Sequence, residues 1–534
     1  MKRPQRWDHP FGHTRLPAKF IDAVLETPAF RDIDPANFPD DLALGDIIAN
    51  DARILRLKRG KVIYREGEYG TSIYMVLHGA VRRLPPRKRE KRAIGPAPAN
   101  GKSGLGQLLS LPWRNSTHNG NGADGDTAFP KTYYGPFEIF GEVEALARGA
   151  RNTSLAADAD GTLLLEIRLP GLRELCHWSD ALRERIDGLY RRRSLEIGLC
   201  ESPLFAHLDW TSLAHISRDC VLETHGALDW THRYQRETAE YPGPAQVAKL
   251  EPIILDQGHY LDDLLLIRSG FARITHKLDH GERTLGHLSR GDVFGLTEIV
   301  ESVYGASLQR ARCCLRAIGY ADVIRVPVHI VKQFVVPSLP LGELQDAATI
   351  STPPAKVQSL LDFSVDKRFV NGTAAMAIDT TRCVNCDDCV RACASTHNNV
   401  PRFVREGPTH NSLMVAHACM HCVDPVCLAD CPTGAIHREH SSGSVIIDEK
   451  TCIGCATCAS ACPYDNIRME KIRNADGAFQ IDDEGAHILR AVKCDLCEGQ
   501  SGGPACQRAC PHDALIRIDV GNLTKLSDWL DYAQ

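Results

Sequence analysis

A large excess of charge of one sign is missing from this chain. Its 534 residues carry 62 Lys and Arg against 67 Asp and Glu, a formal balance of −5, so no global field recruits nucleic acid, and the expected partners are proteins or small molecules. Long apolar runs are missing as well. No segment reaches the roughly 18 uninterrupted apolar residues of a membrane helix, and the basic opening Met1-Lys2-Arg3-Pro4 is followed by no apolar stretch of the kind a secretion signal needs. No membrane span and a cytoplasmic location are therefore expected. Catalytic signatures are equally scarce: there is no P-loop and no Ser/His/Asp-type constellation, and the dinucleotide fingerprint fails after Gly104-Leu105-Gly106, where Leu109 stands in place of its third glycine. A helix-turn-helix would have to fit into the about 35 linker-like residues before Cys383, which argues against DNA binding. The chain is expected to have no catalytic site of its own.

Cysteine, by contrast, is abundant, with 21 residues. Sixteen fall between positions 383 and 510, in a long chain without a signal, which favours metal ligation in a reducing compartment over disulfides. They form four sets: Cys383, Cys386, Cys389, Cys393; Cys419, Cys422, Cys427, Cys431; Cys452, Cys455, Cys458, Cys462; and Cys494, Cys497, Cys506, Cys510, the last three sets ending in Cys-Pro. Three thiolates in one tight loop can hold three corners of a cubane, while the fourth, starting a turn of helix that proline stops, points to a neighbouring cluster. Zinc needs only two CxxC pairs per ion and leaves the third close cysteine and the trailing Cys-Pro unexplained. Iron-sulfur clusters are expected. Cys176, Cys200, Cys220, Cys313 and Cys314 lack ligand spacing and read as small buried hydrophobes. With the thiolate sets complete, His397, His410, His417, His421 and His437 read as surface groups or neighbours of the clusters rather than ligands.

Taken in order, residues 1–41 lack a sustained period and read as an irregular arm. Residues 42–200 alternate in runs punctuated by glycine, the pattern of antiparallel sheet, and include an insertion at 85–135 whose basic, then Gly/Asn/Ser-rich composition cannot bury a core. Residues 171–200 have helical spacing and look like a connector. The segment 201–345 repeats the frame of the first: Gly67 to Gly79 and Gly258 to Gly270 are each twelve residues apart, and Phe140-Gly141 answers to Phe294-Gly295. Tandem domains follow from a repeat this long. A linker is expected at 346–375, the cysteine domain at 376–522, and at 523–534 a short helix whose face Leu523, Leu526, Trp529, Leu530 is expected to pack on its own protein, with docking to a partner as the alternative.

The order Gly60-Lys61-Val62-Ile63, Gly67-Glu68, Tyr74 to Gly79, Phe140-Gly141-Glu142 and Arg151 resembles the cyclic-nucleotide-binding domain family. A cyclic phosphate needs an arginine fork and free N–H groups, and a ribose hydroxyl needs a carboxylate. The resemblance assigns Arg151 to the phosphate, Glu142 to the ribose and Gly141 to close backbone approach, with Thr153 and Ser154 as the polar residues after the arginine; the ligand it implies is cyclic AMP, or else cyclic GMP. In the second unit Leu296 replaces Glu142, and Arg310, Arg312 and Arg316 align with Arg151 in no clear way. That unit reads as a degenerate, structural copy.

The fourfold cysteine arrangement is similar to the iron-sulfur subunits of dimethyl sulfoxide reductase, formate dehydrogenase and nitrate reductase. The resemblance implies four [4Fe-4S] clusters with exchanged ligands: Cys383, Cys386, Cys389 with Cys510; Cys494, Cys497, Cys506 with Cys393; Cys419, Cys422, Cys427 with Cys462; and Cys452, Cys455, Cys458 with Cys431. Ala394 takes the place of proline in the first set without changing the ligand count.

The expected fold is multidomain: two β jelly-roll, cyclic-nucleotide-binding-like domains with helices, followed by an α+β bacterial-ferredoxin-like domain. The expected function is an electron-transfer subunit that relays single electrons to or from a redox partner, a catalytic oxidoreductase subunit or flavoprotein, under control of a nucleotide at the first domain. The alternative is a redox-sensing signalling protein that couples cluster state to effector binding. A purely structural assembly subunit is third.

Overall fold

The computed structural model describes residues 10–531 except 13, 86–132, 227–250, 279–280, 306–308, 340–354, 430, 441, 474–477, 483–484 and 521. The insertion expected at 85–135 and the first part of the linker therefore lie almost wholly outside the described residues. The chain forms two compact units, one drawn from Met1–Arg92, Lys131–Tyr190 and Thr373–Arg517, the other from Arg191–Gly372 and Ile518–Gln534. The first β domain and the cysteine domain, separate in the sequence-based division, thus belong to the same unit.

In that unit two antiparallel four-stranded sheets face each other. One has the order Ala52–Leu57, Thr162–Arg168, Ser72–His78, Ile139–Phe140, the other Val62–Tyr64, Ser154–Ala157, Val81–Leu84, Tyr133–Tyr134. The sheet resumes at Tyr133, which pairs with Arg82, so the insertion leaves and re-enters on neighbouring strands. Tyr64, Tyr74 and Phe140 fill part of the space between, with the Tyr74 and Phe140 rings stacked at 5.3 Å. Each such ring contributes roughly 1.5–3 kcal/mol by leaving water.

The arm differs from its expectation. Residues Ala18–Leu25 form a helix, and Leu16, Val24, Phe30, Ile33 and Phe38 join Ile47, Leu165 and Leu172 in one core. Several short turns supply one or two apolar side chains each, so no period builds up in the sequence.

The other unit holds a six-stranded sheet built on two long strands, Asp263–Leu278 and Cys314–Pro327. Their pairing shifts register at Gly270, where a Cβ would meet the Tyr320 carbonyl at 2.2 Å and φ is +76°. Only glycine fits such a bend. The expected linker also differs: Ala355–Asp366 is a helix with Leu360, Leu361 and Val365 buried. Its Thr-Pro-Pro and Asn-Gly signals bound a helix at either end; between them the chain is ordered. Asp366 accepts from Arg273 at 2.7 Å, and Arg273 also pairs at 3.0 Å with Glu251, a buried carboxyl raised by its desolvation. Breaking so buried a pair costs about 3–5 kcal/mol, enough to tie this helix to its sheet. The terminal helix Leu523–Asp531 packs on Ala355–Asp366, with Leu526 and Leu530 buried.

Candidate metal centres and the adjoining β domain

Each cysteine set follows one plan, a tight loop running into a short helix. Cys389 and Cys393 lie on Asp388–Thr396, Cys427 on Val426–Ala429, Cys458 on Thr457–Ala461 and Cys506 on Ala505–Arg508. The loops turn through left-handed backbone at non-glycine residues: Asn385, Asp387, His421, Ala456, Leu496 and Cys497 all have φ between 49° and 64°. Such positions cost of order 1–3 kcal/mol each and persist where the surroundings over-determine them. Backbone N–H groups in these loops and around them point onto sulfur. Arg402 N donates to Cys393 Sγ at 3.2 Å, Leu496 N to Cys494 Sγ at 3.4 Å and Ala514 N to Cys510 Sγ at 3.3 Å.

The helices pack in two pairs, Asp388–Thr396 with Ala505–Arg508, and Val426–Ala429 with Thr457–Ala461. This brings distant cysteines together. Burial raises the Cys389 thiol, and nearby Cys510 and Cys383 add to the effect. Burial likewise pushes Cys506 up to about 12, with Cys494, Cys393 and Cys497 as neighbours. Cys427 is raised well above its ordinary range by burial, then by Cys462, Cys419 and Cys422. Cys458 is pushed up to about 12 by burial, then by Cys431, Cys452 and Cys455. Those last four thiols line one small cavity, walled also by Ile436 and Ala491. Thiols gathered and desolvated in this way suit a thiolate-ligated metal group, whose positive charge compensates anions that burial alone disfavours. Cys386 is the exposed member, at the entrance to its set.

Fixed charges flank the sulfurs. Arg517 donates from Nη2 to Cys494 Sγ at 2.8 Å and from Nη1 to the carbonyls of Ala374, at 3.1 Å, and Cys419, at 3.5 Å. It therefore joins one cysteine set to another. His397 bonds Asp495 at 3.1 Å and lies 3.7 Å from Cys393 Sγ; these bonds push its ring up to about 11. Burial alone would raise Asp495, but His397 and the Cys497 N–H hold it down at about 2. His397, Asp495 and Cys497 place ligand atoms within 4.8 Å of one another, yet Cys497 already belongs to a thiol set, so the histidine acts as its neighbour. His421 is brought down to about 2 by burial and by Lys493 and Arg517, and its neutral Nδ1 accepts from Val445 N. His417 and His437 bond the carbonyls of Tyr464 and Ala435.

In the first β domain, Gly141 has φ +79° and caps the helix Glu142–Leu146. Arg151 is buried, donates to the carbonyls of Gly141 and Ser72, and lies 3.6 Å from Glu144, with its guanidinium 4.5 Å from the Tyr64 ring centre. Glu142 is also buried, whereas Thr153 is half-buried and Ser154 Oγ accepts from Glu66 N. As the chain stands, the phosphate-assigned arginine is an internal strut. The repeat becomes alignable through its backbone. Gly67 N bonds Arg151 O and Arg151 N bonds Glu68 O, while Gly258 N bonds Ala311 O and Ala311 N bonds His259 O. Ala311 is thus the counterpart of Arg151, so the second copy lacks the arginine as well as the carboxylate.

Five residues absent from the sequence-based site join the β domain to the cysteine loops. Arg148 donates to Asp424 at 2.6 Å. Arg438 donates to the carbonyls of Cys422 at 2.8 Å, Val423 at 2.6 Å, Gly443 at 2.8 Å and Arg148 at 3.2 Å, and lies 5.0 Å from the Tyr69 ring centre. Arg168, ion-paired with Asp51, donates at 2.6 Å to the carbonyl of Thr433, two residues beyond Cys431. No spacing signal marks such contacts, because partners nearly 300 residues apart meet only through packing. The left-handed backbone of Arg148, φ 54°, shows the constraint once the fold exists.

Among the described residues no helix is long and apolar enough to cross a membrane. Residues 410–520 match the model of the 4Fe-4S dicluster domain family. The electron transport protein HydN of Escherichia coli K12 is 35% identical over 165 residues, covering 28% of this chain and 90% of HydN. Formate hydrogenlyase subunit 2 of the same strain is 31% identical over 173 residues, covering 28% of this chain and 83% of that subunit. The beta subunit of NADH-dependent phenylglyoxylate dehydrogenase from Aromatoleum evansii is 31% identical over 167 residues, covering 30% of this chain and only 33% of that subunit. Among solved structures, the regulatory domain of Toxoplasma gondii PKA with cAMP covers 61% of this chain and 93% of its own, at 14% identity and a TM-score of 0.21. By its cysteine region, then, the chain belongs to the family of 4Fe-4S dicluster electron-transport proteins that includes HydN.

Proposed function

We propose that the chain is the electron-transfer subunit of an oxidoreductase system, relaying single electrons through four [4Fe-4S] clusters to or from a catalytic subunit or flavoprotein. The ligand sets are the four exchanged quartets. The observation that carries this reading is the cavity in which Cys431, from one set, joins Cys452, Cys455 and Cys458 of another. When bound, a [4Fe-4S] group supplies a site that takes up and releases one electron. The chain holds each group by thiolates, donates N–H groups to the sulfurs and keeps most of them from water. It supplies no acid, base or nucleophile to a substrate, so bond chemistry belongs to the partner. Purified under argon, the protein is expected to contain about sixteen iron and sixteen acid-labile sulfide per chain. Zinc in their place sinks the reading.

The first β domain is the regulatory part, with cyclic AMP or cyclic GMP as the anionic ligand of Arg151, Gly141, Glu142 and Thr153. For a phosphate to bind, Arg151 must first leave the carbonyls of Gly141 and Ser72. Calorimetry on the iron-replete protein is expected to show binding that is lost in Arg151→Ala. Absence of heat with both nucleotides in the wild type removes the nucleotide from the proposal and leaves the electron relay intact.

A further inference from the structure

The loop that carries Arg151 also carries the contacts to the cysteine region. Arg148, three residues earlier, pairs with Asp424, two residues beyond Cys422. Tyr69 bridges to Ala150 in the β domain and meets the cysteine region with its ring, so close to Gly443 that a Cβ there would lie 2.6 Å from a ring carbon. Arg438 closes the arrangement, one guanidinium gripping both the carbonyl of Cys422 and the carbonyl of Arg148. The contact is buried, the side chain of Arg148 being 3% exposed and that of Asp424 14%.

We propose that loop 147–151 of the first β domain is a redox-responsive latch on the loop bearing Cys419, Cys422 and Cys427. The latch rests on the reading of those thiols, with Cys462, as a cluster seat. Reduction adds one electron to that seat, taken from dithionite in the test and from the redox partner in function, and no bond is made or broken. The added negative charge faces two guanidinium groups, Arg148 and Arg438, and one carboxylate, Asp424. Two positive groups against one negative leave a net positive charge on the contact, a site this dry screens it little, and the loop is held more tightly in the reduced state. By reciprocity, whatever pulls Arg151 and its loop away from Asp424 and Arg438 makes reduction less favourable.

Hydrogen exchange on the full chain tests this, comparing oxidised and dithionite-reduced protein for peptides spanning 141–157 and 66–71. Reduction is expected to slow exchange at 147–151 several-fold, leave strand Thr162–Arg168 unchanged, and lose its effect in Arg438→Gln at unaltered iron content. If Arg438→Gln does not fold, Arg148→Gln serves instead and is expected to diminish the difference. Equal exchange in the two states, while the visible absorbance bleaches fully, overturns the latch and spares the clusters. A protein without iron-sulfur absorbance overturns the cluster reading and the latch with it.

Discussion

Replacing Cys393 by alanine is expected to abolish the same EPR signal as replacing Cys506, and a different one from that lost on replacing Cys389. Cys393 and Cys389 share one helix turn, yet Cys393 is a neighbour of Cys506, while Cys389 is a neighbour of Cys383 and Cys510. Four residues make slightly more than one turn, so the two thiols lie on one face of the helix about 6 Å apart along its axis, and each meets a different group of thiols. Iron should fall by about four of sixteen in each variant if a seat missing one thiolate does not fill. A chain ending before Cys494 should lose about half its iron, since it lacks three ligands of the proposed Cys494, Cys497, Cys506, Cys393 seat and Cys510 of the Cys383, Cys386, Cys389 seat. If the signal lost with Cys393 is instead the one lost with Cys389, the exchange of ligands is wrong and each set serves its own cluster.

Arg517→Gln is expected to lower the potential of one cluster and leave the others within error. The guanidinium donates to Cys494 Sγ at 2.8 Å, a charge-assisted contact that strengthens as the cluster becomes more negative. A hydrogen bond to a charged group contributes about 1.5–3 kcal/mol, and the half-exposed setting of Arg517 leaves only part of it to distinguish the two oxidation states. A downward shift on the order of 60 mV follows, since 59 mV is a factor of ten for one electron. Arg517→Lys, which keeps the charge and loses the fork, should shift less. The residue also reaches the Cys419 carbonyl, so it joins the Cys494 set to the Cys419 set, and its loss is expected to slow electron passage between the groups those sets are proposed to hold. An EPR-monitored redox titration in which all four potentials stay in place would show that Arg517 only supports the backbone.

The cysteine centre was legible in the sequence because its chemistry is local: in two sets a Cys-x2-Cys-x2-Cys loop declares three ligands within seven residues, and in three a trailing Cys-Pro marks the fourth. The repeat was legible for a related reason. Gly67, Gly79 and Gly141 adopt φ of 79–84°, and Gly258, Gly270 and Gly295 adopt 76–91°, so the backbone itself demanded glycine at matching places. What could not be read there was Ala311 as the counterpart of Arg151, since six residues intervene differently between Gly295 and the bridge at Tyr260 and Arg310. The arm and the linker were misread because their apolar residues are contributed singly from short turns, or sit between breakers that bound a helix instead of a gap.

By itself the sequence determined the metal chemistry, the number of thiols, and the two β-rich segments, all properties of residue type and spacing over short stretches. Only the tertiary structure decided which thiols meet, that Arg151 is turned inward onto Gly141 and Ser72, and that the first β domain grips the cysteine loops through Arg148, Arg168 and Arg438. The physical reason is the same in each case. A guanidinium finds its carboxylate or carbonyl by position in space, and hydrogen bonds spanning up to 290 residues of chain leave no spacing in the sequence from which to infer them.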